Sequence, residues 1–125
     1  MKNRKELGNA GEEFATAYLK SKHYEILARN FRFGKNAEID IVATINGTIS
    51  FIEVKTRNSQ KFGSPAEAVT LKKQHKIIKA SIKFLQDNNL FDSPCRFDVI
   101  EVFANGNHDF TGWKCNHIEN AFELC

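Results

Sequence analysis

Acidic residues and a lysine lie at mirrored distances on either side of an Asn-Gly dipeptide. Asn46-Gly47 separates two β-branched runs and predicts a two-residue hairpin turn, because both residues tolerate positive φ. The register of that hairpin places Asp40 opposite Glu53 and Glu38 opposite Lys55. Since alternate side chains of a strand share a face, these four charges are predicted on one face at the open end. The other face is predicted to carry Ile39, Ile41, Ile52 and Val54.

The predicted pairing of Asp40 with Glu53 indicates a metal site. Like charges directly opposite each other destabilise an antiparallel pair. Mg²⁺ or Mn²⁺ would relieve the repulsion, because such hard cations take one or two carboxylates together with waters and substrate phosphate oxygens. Lys55 would add a positive charge beside the metal-bound water. The spacing leaves an alternative open, in which Glu38 and Lys55 form an ordinary ion pair at a solvated hairpin end.

A helix is predicted before the hairpin, over about Lys5 to Lys22, because apolar residues recur there at three- and four-residue steps. Gly8 and Gly11 are poor residues for its interior, each costing about 1 kcal/mol relative to Ala. Either the helix begins late, or another element approaches its backbone closely. Glu12 and Glu13 lie on the flank of this helix, where a solvated surface charge is the usual role.

The remaining elements follow from local patterns along the chain. Residues 24–33 alternate as a first strand, and residues 56–63 form a polar loop that is a candidate substrate-contacting lid. Ser64-Pro65-Ala66-Glu67 has the spacing of a capping box and predicts a helix from there to about Gln86. The last predictions are a strand over 96–103, a short strand over 111–118 and a terminal turn over 118–122 that packs Phe122.

Basic residues lie near the charged end of the hairpin. The second predicted helix has lysines at helical spacing along one side, typical of a solvated face and compatible with a ridge that tracks phosphates. Arg29 and Arg32 precede the carboxylate strand and either contact phosphates or pair with surface acids, the second role being commoner. The lysines of the ridge are Lys72, Lys73, Lys76, Lys79 and Lys83.

Composition indicates one soluble globular domain spanning 1–125. Its 125 residues suffice for a core without staples, and the net charge of +3 is too mild to indicate nucleic acid by itself. No apolar run approaches the ~18 residues of a membrane span, and the polar N-terminus lacks a signal peptide, so a cytoplasmic location without membrane partners is expected. The histidines lack metal-ligand spacing and are predicted to be structural or surface residues. They are His23, His75, His108 and His117.

Several motifs, in their order and spacing, resemble the YraN-type uncharacterised protein family over nearly the whole chain. They are Gly11-Glu12, Arg29-Asn30, Glu38-Ile39-Asp40, Glu53-Val54-Lys55-Thr56-Arg57, Gly63-Ser64-Pro65-Ala66-Glu67-Ala68-Val69 and Lys72-Lys73. That family is similar to archaeal Holliday-junction resolvases and, more broadly, to PD-(D/E)xK nucleases. Two positions depart from these patterns, since Ile39 stands where the nuclease motif has Pro and Ala37 where many family members have Gly.

The resemblance implies an α/β restriction-endonuclease-like fold, with a central mixed sheet of four to five strands, flanking helices and the order α-β-β-β-α-β. It assigns Asp40 and Glu53 to the two acids of the nuclease motif and Lys55 to its lysine. Glu12 corresponds to the helix-one glutamate of the resolvase-like branch. Mg²⁺ or Mn²⁺ would be held by Asp40, Glu53 and the carbonyl of Val54, with Glu12 bound directly or through water.

The function implied by the resemblance is metal-dependent hydrolysis of DNA phosphodiester bonds. The ion would polarise the scissile phosphate and lower the pKa of a bound water, while Lys55 would orient that water or stabilise the charge developing on phosphorus oxygens. Arg57, Lys72 and Lys76 join Arg29 and Arg32 as candidates for contacts to the DNA backbone. Because such contacts carry no base information, selectivity is expected for a branch or flap rather than for a sequence.

Two other functions stay open, because a fold does not settle a function. The first is a non-catalytic nucleic-acid-binding module on a nuclease fold, acting with a DNA-repair or recombination partner. The second is a purely structural interaction protein whose acids are surface charges. A homodimer is implied by the resemblance to resolvases alone.

Overall fold

A five-stranded mixed sheet with a helix on each face forms the structure, a computed structural model that describes residues 4–57, 69–105 and 109–123. The strands are ordered β1-β2-β3-β4-β5, and β3 and β4 form the parallel pair. Because parallel strands need a crossover, α2 connects them. This architecture confirms the predicted fold class. The elements are α1 (Arg4–Ser21), β1 (Glu25–Phe33), β2 (Ala37–Ile45), β3 (Thr48–Arg57), α2 (Leu71–Asp87), β4 (Cys95–Phe103) and β5 (Lys114–Phe122).

The hairpin of β2 and β3 turns at Asn46-Gly47 as predicted. Both residues have positive φ, 51° and 82°, which matches the twist of the flanking strands. The observed register agrees with the predicted one from the turn as far as Ile41 opposite Ile52. The ladder ends there, so Asp40 and Glu53 lie just beyond the last paired residues, where the two strands separate.

Two apolar clusters fill the space between the sheet and the helices, one on the α1 side and one on the α2 side. Ile41 and Ile52 are buried in the α1-side cluster, and Val54 packs against it, as predicted. Ile39 lies in the α2-side cluster, so its predicted place beside them is wrong. It shares that cluster with Val42, three positions along β2, which means that the strand's alternation is interrupted beside Asp40.

A close approach between α1 and β3 explains one of the two helix glycines. A Cβ atom on Gly11 would overlap the side chain of Thr56, whereas nothing lies within 4 Å of a Cβ on Gly8. The predicted close approach is therefore confirmed at Gly11, and the helix does not begin late, since it starts at Arg4. The contact brings Glu12, the next residue of the helix, to the end of β3 that carries the charged residues.

The second helix begins later than predicted. Leu71 is its first residue, because Thr70 has extended backbone angles and its side chain accepts a hydrogen bond from the backbone N–H of Lys73 at 3.2 Å. The predicted beginning at Ser64 is thus wrong for α2, while the capping-box residues themselves and most of the predicted lid loop lie outside the described residues. No helix in the described parts of the chain is long and apolar enough to cross a membrane.

The last strand is longer than predicted, and the predicted turn over 118–122 is wrong. β5 continues to Phe122 through a shift in its register with β4. Asn120 takes a positive φ of 52° at this shift, and its backbone N–H donates to Asp98 at 3.1 Å. The predicted packing of Phe122 is confirmed, because its ring stacks on Phe97 with the ring centroids 4.9 Å apart.

Candidate active site

Asp40 and Glu53 form a buried pair of carboxylates where β2 and β3 separate. Each residue is only 7% exposed, and both line one groove between the sheet and α2. Burial, and then the charge of Glu53, raise the pKa of Asp40 to about 8. The structure thus brings together the two acids predicted as metal ligands. The other lining residues are Asn36, Glu38, Lys73, Lys76 and Ile77.

One backbone hydrogen bond holds the Asp40 carboxylate across the separating strands. The N–H of Val54 donates to Asp40 Oδ2 at 2.8 Å, a contact that lowers the pKa of Asp40 but does not offset burial and the neighbouring acid. Asp40 thereby takes up a backbone donor beyond the end of the β2–β3 ladder. Its side chain is fixed toward the groove, next to Glu53.

Lys73 is the cation that meets this pair, and the sequence had indicated it only as one lysine of a ridge. It lies in the first turn of α2 and forms an ion pair with Glu53. Burial alone would lower the pKa of Lys73, but the hydrogen bond and the charge of Glu53 outweigh it, so the pKa is raised. Lys76, one turn later, lines the same groove, and Lys72 is exposed. The structure therefore shows which ridge lysines point toward the acids.

Lys55 follows Glu53 by two residues and belongs to the same side of β3. It is half-buried and forms no ion pair with any other residue that the structure describes. The alternative in which Lys55 pairs with Glu38 is wrong, because Glu38 accepts from Arg32 Nε at 2.8 Å instead. Lys55 thus lies two positions beyond Glu53 on β3, is not among the residues that line the groove, and its ammonium is not engaged by the acids.

Glu12 approaches the groove from α1. Its carboxylate accepts a hydrogen bond from Asn30 Nδ2 at 2.9 Å and lies 3.8 Å from Arg29 Nη2. Burial raises the pKa of Glu12 most, and the charges of Glu38 and Glu53 raise it further. Asn30 has a φ of 52° in the middle of β1, a conformation that Asn tolerates better than most residues. Asn30, noted in the sequence only as part of the Arg29-Asn30 motif, and Arg29, predicted to contact phosphates or to pair with surface acids, together position Glu12.

The donor set fits a hard divalent cation held by two carboxylates. Within residues 4–57, 69–105 and 109–123, no three His, Cys, Asp or Glu side chains are grouped closely enough to hold a metal ion. Glu12 is therefore not grouped with Asp40 and Glu53 as a third direct ligand. Mg²⁺ keeps several waters and binds through one or two carboxylates and substrate phosphates, which matches a buried pair of acids of which only Glu53 has an ion-pair partner, Lys73, among the described residues. Contact with Glu12 through a water also fits this arrangement.

The arginines predicted to contact nucleic acid are each ion-paired. Arg29 Nη1 lies 2.6 Å from Glu13 Oε1, and the largely exposed Arg32 holds Glu38, as described above. Arg57 Nε lies 3.4 Å from Oε2 of the buried Glu101. The commoner role weighed for the first two, pairing with nearby acids, is what the structure shows, and contact with phosphates stays a prediction.

A second buried carboxylate site lies on the α1 side of the sheet, away from the groove. Asp98 Oδ2 accepts from Ser50 Oγ at 2.7 Å and lies 2.8 Å from His117 Nε2. Arg96 and the Asn120 N–H also contact Asp98. Although burial would raise the pKa of Asp98, these hydrogen bonds and the Arg96 charge lower it. His117, predicted as structural or surface, is structural, and the polar residues that interrupt the apolar strands were the sequence signal for this cluster.

Comparison with known proteins identifies similar chains over almost the full length. The family model described as "Uncharacterised protein family UPF0102" matches residues 11–102. A UPF0102 protein of Caldicellulosiruptor saccharolyticus is 47% identical over 120 residues, covering 96% of this chain and 99% of that protein. The UPF0102 protein of Clostridioides difficile is 46% identical, with 96% and 99% covered. The protein of Chlorobium phaeobacteroides is 47% identical over 122 residues, with 94% of each chain covered.

Proposed function

Because the chain belongs to the uncharacterised protein family UPF0102, whose name states no activity, we propose a function from the site itself. The protein is a Mg²⁺- or Mn²⁺-dependent nuclease that hydrolyses DNA phosphodiester bonds and selects branched or flapped DNA. The observation that carries the proposal is the buried, like-charged pair of Asp40 and Glu53, with Lys55 two residues further along the same side of β3. Perturbed acids converging in a groove are typical of functional sites.

The roles of the residues follow from their positions. Asp40 and Glu53, with the Val54 carbonyl, would hold the ion, and Glu12 would bind it through a water. A bound divalent ion supplies positive charge at the scissile phosphate and a water of lowered pKa. Lys55, whose ammonium no described acid engages, orients the attacking water or stabilises negative charge on the phosphate oxygens.

The groove beside α2 supports a phosphate-containing substrate. Lys76 lines it and Lys72 lies exposed in the first turn of the same helix, so a strand of DNA at the groove has positive charge beside the acids. These lysines contact phosphates, which positions DNA without reading its sequence. Neutralising phosphates also makes binding fall steeply with salt, so DNA affinity that hardly changes with salt contradicts the proposal.

Cleavage of labelled branched, flapped, duplex and single-stranded DNA with Mn²⁺ tests the proposal. We expect cleavage of one DNA shape by the wild-type protein and loss of that cleavage in Asp40→Asn and Lys55→Ala. Asp92→Asn is the matched control, because Asp92 is an exposed acid outside the groove and its variant should cut normally. Equal cleavage by wild type and Asp40→Asn would contradict the proposal.

A second candidate function is a non-catalytic DNA-binding module in the cytoplasm that acts with a DNA-repair or recombination protein. The ion pair of Lys73 with Glu53 favours it, because it neutralises one acid of the site without a metal. Salt-sensitive binding of DNA with no cleavage under Mg²⁺ or Mn²⁺ is the result expected of such a module. In that case Asp40→Asn leaves DNA affinity unchanged at neutral pH, because Asp40, with its pKa raised to about 8, is already largely protonated there.

A further inference from the structure

Lys73 reaches the acids of the groove from a fixed point on α2. Its backbone N–H donates to the cap residue Thr70, at the beginning of the helix. Its ammonium pairs with Glu53, whose side chain is 7% exposed, while 48% of the Lys73 side chain remains exposed. The charge of Asp40 also acts on it. The pair is therefore buried on the acid side and open to solvent on the lysine side.

We propose that Lys73 is a built-in counter-cation of the metal site, which pairs with Glu53 in the metal-free protein and moves to a DNA phosphate when a divalent ion binds. This inference rests on the proposed function and adds a positioning residue to it. A lysine ammonium is a compact charge on a flexible four-carbon stem, so the side chain can change partner while α2 stays in place.

Competition for Glu53 follows from charge and geometry. The ammonium carries one charge and pairs with Glu53, whereas a divalent ion carries two and takes Asp40 and Glu53 together. Opposite charges at contact distance attract in proportion to the product of their charges. The divalent ion therefore displaces the ammonium, and the displacement costs part of the metal affinity.

The neighbouring lysines provide matched controls. Lys76 lines the same groove and forms no ion pair with another residue in the described ranges, and Lys72 is exposed next to Lys73 in the chain. Replacing either removes the same charge from the same helix without touching Glu53. A change seen for Lys73 and absent for both controls is due to the pair and not to the overall charge of the helix.

Binding of Mn²⁺ to the whole chain, measured by isothermal titration calorimetry, is the first test. We expect Lys73→Gln to bind Mn²⁺ about fivefold more tightly, which is about 1 kcal/mol. Lys73→Arg keeps the cation and should bind like the wild type. Lys76→Gln and Lys72→Gln should change affinity by less than about twofold, because neither lysine is paired with Glu53 and the charge of the exposed Lys72 is screened by solvent. Equal affinity of Lys73→Gln and the wild type overturns the inference.

Asp40→Asn separates the failure of this inference from that of the proposed function. If the wild type binds no Mn²⁺, or Asp40→Asn binds it equally well, the metal site itself is refuted, and the inference falls with it. If binding depends on Asp40 and Lys73→Gln changes nothing, only the counter-cation role is refuted.

The salt dependence of DNA binding is the second test, in Ca²⁺ and in a chelator. Each phosphate contact contributes a slope of about 0.9 in log affinity against log salt. We expect Lys73→Gln to reduce the slope by about 1 in Ca²⁺ and to leave it unchanged in the chelator, where Lys73 is paired with Glu53. If the slope falls equally in both conditions, or in neither, the proposed move of Lys73 from Glu53 to a phosphate is refuted.

Discussion

Two buried aspartates on the same sheet differ in how their charge is satisfied. Asp98 on β4 is fully buried and is held by Ser50, His117, Arg96 and a backbone N–H. Asp40 on β2 accepts, among the described residues, one hydrogen bond from the Val54 backbone and faces other acids. The pKa of Asp98 is lowered and that of Asp40 is raised to about 8.

The difference separates a structural carboxylate from a functional one. A buried carboxylate with a full set of hydrogen-bond donors rigidifies its surroundings and does not need an external cation. A buried acid next to other acids is costly unless a cation is supplied. The protein completes the first site from its own residues and leaves the second open to a groove, which is where an external cation and a phosphate can enter.

The largest expected effect comes from removing the satisfied carboxylate. Asp98→Ala leaves the buried Ser50 hydroxyl without its acceptor and leaves Arg96 with the exposed Glu119 as its remaining acid among the described residues. Breaking a buried charged network typically costs about 3–5 kcal/mol. We expect a loss of unfolding free energy in that range, measured by urea denaturation at neutral pH. A loss below about 1 kcal/mol would mean that the network contributes little to stability. Asp98 could then no longer be described as a structural carboxylate in contrast to Asp40.

The pH dependence of stability should have opposite signs at the two aspartates. The folded-state pKa of Asp40 is raised to about 8, so the folded protein binds more protons than the unfolded chain between about pH 4 and pH 8, and stability falls as pH rises through that window. The folded-state pKa of Asp98 is lowered, so its contribution is present above the unfolded value and is lost as pH falls below about 4.

Asp40→Asn tests the predicted fall in stability with rising pH. It does not disturb the Val54 N–H, because the amide oxygen of Asn can still accept a hydrogen bond from it. Without metal, we expect the variant to be more stable than the wild type at pH 8, as measured by thermal unfolding between pH 4 and pH 8. The difference in melting temperature should shrink toward pH 4. A gap that stays constant with pH would contradict the raised pKa of Asp40.

Metal ions should make the wild type more stable than Asp40→Asn, which is the reverse of the order expected without metal. A ligand that binds only the folded state at a hundred times its Kd stabilises by about 2.7 kcal/mol, and only the wild type keeps both carboxylates. We therefore expect Mn²⁺ to raise the melting temperature of the wild type and not that of Asp40→Asn. Equal shifts in both proteins would place the ion elsewhere.

The hairpin and its acids were predictable because turn chemistry and strand alternation are local. Asn46-Gly47 fixes the register by itself, and the register brings Asp40 and Glu53 to the same end of the hairpin. The interrupted alternation at Ile39 and the extension of β5 beyond Ile118 were not predictable, because each depends on contacts distant in the sequence. The beginning of α2 at Leu71 has a local cause, the cap of Thr70 on the N–H of Lys73, and it was missed because Ser64-Pro65-Ala66-Glu67 offers a competing capping pattern. The bulge in β5, for example, is held by a hydrogen bond from Asn120 to Asp98, 22 residues away.

The partners of the charged residues were unpredictable for the same reason. Spacing places five lysines on or near one side of α2, yet the packing of that helix on the sheet decides that Lys73, rather than Lys72, meets Glu53. Likewise, Asn30 and Glu12 are 18 residues apart and meet because α1 crosses the sheet beside β1. A pattern can show that a residue is charged and on which face it lies, but its partner is a property of the packed structure.

Helix α1 connects the two carboxylate sites, since the charge of Glu53 acts on Glu12 and the Tyr18 hydroxyl lies 3.2 Å from His117 Nδ1. The close packing of α1 on β3 can be tested by substituting its two glycines, Gly8 and Gly11. Gly11→Ala forces the Thr56 side chain or the helix to shift, and such overpacking typically costs about 1–3 kcal/mol.

Gly8→Ala is the matched control, because it adds the same methyl group to the same helix in open space and should stabilise the protein by up to about 1 kcal/mol through helix propensity. Mn²⁺ affinity extends the comparison, because a shift of α1 at Gly11 moves the adjacent Glu12. We expect weaker Mn²⁺ binding in Gly11→Ala and unchanged binding in Gly8→Ala. If Gly11→Ala is destabilised but binds Mn²⁺ like the wild type, the packing of α1 on β3 contributes to stability only, and Glu12 contributes nothing to Mn²⁺ affinity.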